Sequence, residues 1–310
     1  MYGQYMFLVI LLAVALAGCN DDKVIIEEMV PNPTEPNALG NLIEIKMLPP
    51  EGQLAVPANS KMKLRITGLY ENGTLDLTEQ AEMRILNDVS NITFTEDNQI
   101  QAGAWNSAGA NETRIVAEFE NLRTELTVNV MEGVCEESLT VEQVEALDGA
   151  CVMSYTYDGK MFVFSPRKKF MDGLGYTASD IAENEGRTYA RIHNETYPYA
   201  LFRRDGKGMA RENFQDNPYG QAERFCKDLA QMSFSNKSGW KMATLNELQV
   251  LMAHHRDNGG TSLPLGHFTI WAEEKRTDLT HVFAATAMNL GEGQKIKYAY
   301  SDQAVVCRSE

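Results

Sequence analysis

The chain has 310 residues, 44% hydrophobic and 23% charged, a balance that excludes wholesale disorder. Its formal net charge of −15 argues against a nucleic-acid partner, whose phosphates demand a surplus of Lys and Arg. The charge is uneven: residues 1–150 carry 8 Lys+Arg against 24 Asp+Glu, and residues 151–310 carry 20 against 19. This predicts a boundary near residue 150, with the near-neutral second half meeting the partner.

Met6 to Ala17 is an uninterrupted apolar run of 12 residues, too short to span a bilayer and suited to a signal-peptide core. It ends in Leu16-Ala17-Gly18-Cys19, which resembles the bacterial lipobox. The resemblance implies that residues 1–18 are a signal peptide and that the Cys19 thiol accepts lipid. It also implies a membrane partner, because several acyl chains anchor stably where one does not. The expected location is the cell envelope, lipid-anchored in the outer membrane at its surface or periplasmic face. Residues 19–40 contain Pro31, Pro33 and Pro36, which disfavour helix and ladder pairing and predict an extended tether.

Residues 41–132 show short alternating segments: Leu42 to Ile45, Lys61 to Ile66, Arg114 to Phe119 and Leu126 to Val130. Glu71-Asn72-Gly73-Thr74 is a hairpin signal. About seven strands in such a stretch predict a β-sandwich. Leu69-Tyr70-Glu71-Asn72-Gly73-Thr74-Leu75-Asp76-Leu77-Thr78 is similar to the signature of bacterial Ig-like group 2 domains. Met83 or Ile85 stands where those domains carry Trp. The resemblance implies a non-catalytic spacer of the kind found in intimin and invasin.

Setting Cys19 aside for lipid leaves Cys135, Cys151, Cys226 and Cys307, an even set that an oxidising compartment would pair in one of three ways. Zinc is the rival use, but none of the four forms a CxxC pair. Ser138 to Leu147 has the pattern of an amphipathic helix looping back, which favours Cys135–Cys151 across a connector at residues 133–151. Gln221 to Met232 carries Ala222, Phe225, Cys226, Leu229 and Met232 at helical spacing. A second helix follows Trp240, opened by Thr244 and Glu247 as a capping box.

Ala222 to Leu229 (AERFCKDL), Gly239 to Leu248 (GWKMATLNEL), Trp271 and Val305-Val306-Cys307-Arg308 together resemble bacterial C-type-lectin-like domains related to the formylglycine-generating enzyme fold. That resemblance covers residues 152–310 and, with the Ig-like segment, resembles the tip of intimin- and invasin-type adhesins. It implies a fold that is mainly β in an N-terminal Ig-like sandwich and α+β in a lectin-like C-terminal domain. It also implies a Cys226–Cys307 bond tying the first helix to the last strand, with Trp240, Thr244, Glu247 and Trp271 as structural motif residues. No WND follows Trp271 and no EPN or QPD lies in this segment, so calcium-dependent sugar binding is not implied.

The remaining motifs predict no catalytic residue, metal or cofactor. There is no GxSxG elbow, and Arg203-Arg204-Asp205-Gly206-Lys207-Gly208 suggests an Asp-Gly turn with solvated cations rather than a Walker loop. His254 and His255 suit a solvated helix end better than a metal site with His267. Tyr176, Tyr197, Tyr199 and Tyr219 lie in a long aromatic-rich stretch and are the candidate recognition residues. The function expected is adhesion or binding of a protein or glycan partner. The alternative is a periplasm-facing assembly lipoprotein that docks another envelope protein. An oxidase would require a reduced Cys226 or Cys307.

Overall fold

A computed structural model describes residues 39–48, 53–86, 91–105, 111–135, 151–194, 198–207, 220–257, 269–275, 281–286, 295–298 and 301–310. Cys19, the tether before Leu39 and the helix expected over residues 138–147 lie outside the described residues, as do Tyr197, Tyr219 and His267.

The first half runs through β1 (Leu42–Leu48), β2 (Gln53–Pro57), β3 (Lys61–Lys63), β4 (Arg65–Tyr70) and β5 (Gly73–Asp76). It continues with β6 (Glu82–Ile85), β7 (Ile92–Phe94), β8 (Gln99–Ala102), β9 (Glu112–Phe119) and β10 (Leu122–Met131). These form sheets ordered β1-β4-β5, β2-β10-β9-β6 and β3-β8-β7. The pattern of alternating burial along β4 and β10 puts Ile66, Leu126, Val128 and Val130 in the core. Met83 and Ile85 of β6 pack half-buried against that core.

The Asp76-Leu77-Thr78 segment acts as a clasp. Leu77 is fully buried and its N–H donates to the Ile66 carbonyl at 2.8 Å. The Ile66 N–H in turn donates to Thr78 Oγ1 at 3.0 Å, and the Thr78 N–H donates to Asp76 Oδ1 at 3.0 Å. The chain leaving β5 is thereby held back against β4, which makes physical sense of the Asp-Leu-Thr spacing.

The second half contains β11 (Ser154–Tyr157), β12 (Lys160–Phe164), α1 (Lys168–Gly173), β13 (Thr177–Ala178), β14 (Thr188–Tyr189), β15 (Arg191–His193) and β16 (Tyr199–Leu201). After these come α2 (Gln221–Gln231), β17 (Lys241–Met242), α3 (Leu245–Asp257), β18 (Thr269–Lys275), β19 (His281–Thr286), β20 (Lys295–Tyr298) and β21 (Ala304–Arg308). The main sheet is ordered β11-β12-β21-β18-β19-β20, with β17 also on β21. β21 is antiparallel to β12 and β17 and parallel to β18. Every residue of β21 is buried, as its continuous apolar run Ala304 to Cys307 requires of a strand paired on both sides.

Each sheet draws its strands from one half only, but the halves share one hydrophobic core. That core joins Leu64, Ile66 and Ile115 to Phe170, Phe225 and Trp271. Main-chain bonds cross the seam: Lys61 N–H to the Met232 carbonyl at 2.6 Å, and Asn236 N–H to the Asn59 carbonyl at 2.8 Å. Between the halves, Val152 N–H donates to Gly133 O and Cys135 N–H to Val152 O, each at 2.9 Å. Cys135 and Cys151 are disulfide-bonded across this contact, with Cα atoms 5.0 Å apart. Residues 39–310 therefore pack as one unit.

Candidate functional site

Both expected disulfides form, Cys135–Cys151 as the connector pattern favours and Cys226–Cys307 as the lectin-like resemblance implies. Cys226 of α2 is bonded to Cys307 of β21, Cα to Cα 5.4 Å, and both sulfurs are buried. The helical spacing of α2 brings Phe225, Cys226 and Leu229 onto one buried face, so the bond anchors the helix to the centre of the sheet. Gly220 sits at the start of α2, where a Cβ would lie 2.6 Å from the Arg204 carbonyl oxygen; only glycine permits that approach. The two motif tryptophans are core residues with satisfied indoles. Trp240 Nε1–H donates to the Phe234 carbonyl at 3.2 Å, and Trp271 Nε1–H donates to the Phe202 carbonyl at 2.7 Å.

The capping box forms. Thr244 N–H donates to Glu247 Oε2 at 2.9 Å, and Glu247 N–H donates to Thr244 Oγ1 at 3.2 Å. The same carboxylate collects two cations from the sheet: Lys160 Nζ of β12 at 2.7 Å and Arg308 Nε of β21 at 3.0 Å. Glu247 thus links the N-terminus of α3 to two neighbouring strands. Burial alone raises its carboxyl pKa, but hydrogen bonds from Lys160 and Thr244 and the Arg308 charge outweigh that and bring it down to about 2.

The sign of the pH effect follows. A depressed carboxyl contributes stability above its unfolded value and loses it as pH falls through the folded value of about 2. Discounted for the solvent that still screens the site, the ionised Glu247 contributes on the order of 1–2 kcal/mol near neutrality. Glu247→Gln is expected to lose about that much in urea unfolding at pH 7, with the gap to wild type closing as pH approaches 2. A gap unchanged at pH 2 would show that the charge is not its source.

Beside this junction lies a cleft of about 420 Å³ lined by Tyr157, Asp158, Lys160, Asn246, Glu247 and Val250, among others. Tyr157 and Asp158 come from the β11–β12 hairpin, whose tip uses left-handed backbone at Asp158 (φ 50°) and Gly159 (φ 75°). Val250 is 39% exposed on α3, an apolar side chain open to solvent beside polar neighbours. Tyr157 packs against His254 with ring centroids 4.5 Å apart, and Tyr155 Oη lies 2.9 Å from His254 Nδ1. These contacts fix one wall of the cleft, giving a rigid aromatic and apolar patch with a polar rim.

Three expectations need correction. Tyr176 and Tyr199 do not face a partner: they are 3% and 4% exposed. Tyr176 Oη–H donates to Asp228 Oδ2 at 2.7 Å, and burial followed by the Asp228 charge holds its phenol well above the usual range. A buried tyrosine that finds an acceptor is a core residue. Secondly, His254 is half-buried between two tyrosines rather than solvated. Thirdly, the 203–205 segment is not a turn with free cations. The Arg204 side chain is 1% exposed, its Nη2 lies 2.6 Å from Glu223 Oε1 and its Nη1–H donates to the Ala272 carbonyl. Arg203 pairs with Asp205 at 2.6 Å.

Gln221 and Asp228 are not singled out by the sequence motifs, although they lie seven residues apart on the flank of the α2 stripe. Gln221 is fully buried; its amide donates to the Ser179 carbonyl at 2.7 Å and its oxygen accepts from Arg203 N–H at 3.0 Å. Asp228 accepts from both Tyr176 and Arg187. Polar residues bordering an apolar helical stripe were the available signal. Tyr157, Asn246 and Val250 gave none, because the cleft they share is assembled from a hairpin and a helix about ninety residues apart. Among the described residues, no cluster of three or more His, Cys, Asp or Glu side chains could hold a metal. No family model matches the chain, and comparison with curated proteins finds no match.

Proposed function

We propose that this chain is a lipid-anchored envelope protein whose second half is a non-catalytic, lectin-like recognition head carried on an Ig-like spacer, acting in adhesion or partner binding. The lipobox-like segment ending at Cys19 supports the anchor, and two disulfides suit an oxidising compartment. The observation that carries the recognition reading is the cleft beside α3. It offers an exposed Val250, the Tyr157 ring and the polar Asp158 and Asn246 on elements braced by Glu247 and the Cys226–Cys307 bond. Binding surfaces gain affinity from apolar and aromatic anchors that are already ordered before contact.

The test uses the soluble chain from residue 20 onward, applied to a glycan array and to purified envelope proteins. Binding is expected, and Val250→Glu is expected to weaken it at least about tenfold with little change in thermal stability. Binding untouched by Val250→Glu would remove this cleft as the recognition site, and an absence of binding to every target would remove the recognition reading. Protease treatment of intact cells separates the two faces: digestion of the full-length protein places the head outside, and protection places it on the periplasmic side, docked to another envelope protein.

A further inference from the structure

A second concave site lies where the two halves meet. It is a cleft of about 420 Å³ whose walls include Asn59, Trp105, Glu132, Ser235 and the bonded Cys135 and Cys151. Two of these residues hold left-handed backbone, Asn59 at φ 55° and Ser235 at φ 54°, and Ser233 and Asn236 beside Ser235 do the same. Such conformations are disfavoured for residues other than glycine and persist only where the surroundings hold them. Here the seam holds them: Asn236 N–H donates to Asn59 O at 2.8 Å, and Ser235 N–H donates to Ser60 Oγ at 3.3 Å.

Two side chains in this cleft lack what their chemistry calls for. Glu132 Oε2 is enclosed and has no hydrogen-bond partner among the described residues. Burial pushes the Glu132 carboxyl up, and the Lys169 charge only partly opposes it, so the nearby cation leaves the group under-compensated. Trp105 is 38% exposed, whereas Trp240 and Trp271 are 4% and 0% exposed. An open indole and a carboxylate short of positive charge, in one cavity, match an organic cation: the ring quadrupole and the carboxylate both attract it. A neutral sugar could lie on the indole but would leave the charge deficit unanswered. The acidic first half adds a field that concentrates cations nearby.

We propose that the junction cleft binds an alkylammonium group, which donates to the Glu132 carboxylate and packs against the Trp105 indole. This chemistry is shared by a free amine and by a lysine side chain of a partner protein. The carboxyl reaches the ligand by turning about its terminal torsion, which is broad for Glu. The site is distinct from the cleft beside α3 and does not depend on the reading given to that one.

The chain has three tryptophans and only Trp105 is open to solvent, so its emission and acrylamide quenching report on this cleft. The soluble chain from residue 20 is titrated with N-α-acetyl-lysine methylamide, n-butylamine and a neutral disaccharide. Both ammonium probes are expected to shift the emission and shield Trp105 from acrylamide. Glu132→Gln is expected to weaken them about tenfold to a hundredfold, the loss of a charge-assisted hydrogen bond. In calorimetry, Trp105→Ala weakens them roughly fivefold. Tighter binding of the lysine derivative points to a partner's side chain, and equal binding points to a free amine; either supports the proposal. Ammonium binding unaffected by Glu132→Gln overturns it, because general attraction to an acidic protein would survive that change. Preference for the disaccharide, or no response to any probe, overturns it equally.

Discussion

Replacing Cys226 and Cys307 together with Ala is expected to lower stability by about 4–5 kcal/mol, the chain-entropy value for a bond closing a loop of this size. The sequence separation is 81 residues, so the unfolded chain regains a large set of conformations when the bond is absent. The folded state loses as well, because both cysteines are buried between α2 and the middle of the main sheet. For a unit of this size the melting temperature should fall by roughly 10–15 °C. The Cys135→Ala/Cys151→Ala pair is the internal control. It closes only 16 residues and is expected to cost about 3 kcal/mol. Calorimetric melting of both variants, with and without reductant, checks the ordering. A smaller loss at 226/307 than at 135/151 would mean that α2 is held by its packing and not by the bond.

Arg204→Met is expected to cost about 3–5 kcal/mol, because it strands a charge rather than merely removing one. The Arg204 side chain is 1% exposed and its guanidinium binds Glu223 through Nε at 2.7 Å and Nη2 at 2.6 Å. It also donates to the carbonyls of Ala272 and Glu273, which ties the start of α2 to β18. After substitution, Glu223 remains only 14% exposed with no counter-charge from this site. Adding Glu223→Leu should restore much of the loss, since an apolar pair of similar volume avoids burying ions. Urea unfolding of the two single variants and the double gives the coupling directly. Additive losses in that cycle would rule out the pair as the lock between these elements.

The sequence was most legible where physics acts over a short span. The α2 stripe from Ala222 to Leu229 needed only helical periodicity, and the Thr244–Glu247 box only three residues of spacing. The strands expected at 42–45, 114–119 and 126–130 all exist, extended at one or both ends. The run expected at 61–66 is two strands in different sheets, because Lys61–Lys63 pairs with β8 while Arg65–Tyr70 pairs with β1 and β5. Periodicity cannot reveal such a change of partner. Nor could it reveal the Glu247 cluster, whose members Lys160 and Arg308 come from opposite ends of the second half. The tyrosine-rich stretch misled for a related reason: the amphipathic character that suits Tyr to a binding face also suits it to a core with an acceptor such as Asp228. The mostly β character of the chain follows from its sheets.

The Cys135–Cys151 bond joins two points of the chain that lie 16 residues apart in sequence. Any cut of the backbone between residues 136 and 150 therefore yields two pieces that stay covalently joined. Such a clipped molecule would migrate intact on a non-reducing gel and separate only when the sulfurs are freed. New termini opened between the two cysteines would likewise leave both parts of the chain joined through the scaffold's own crosslink.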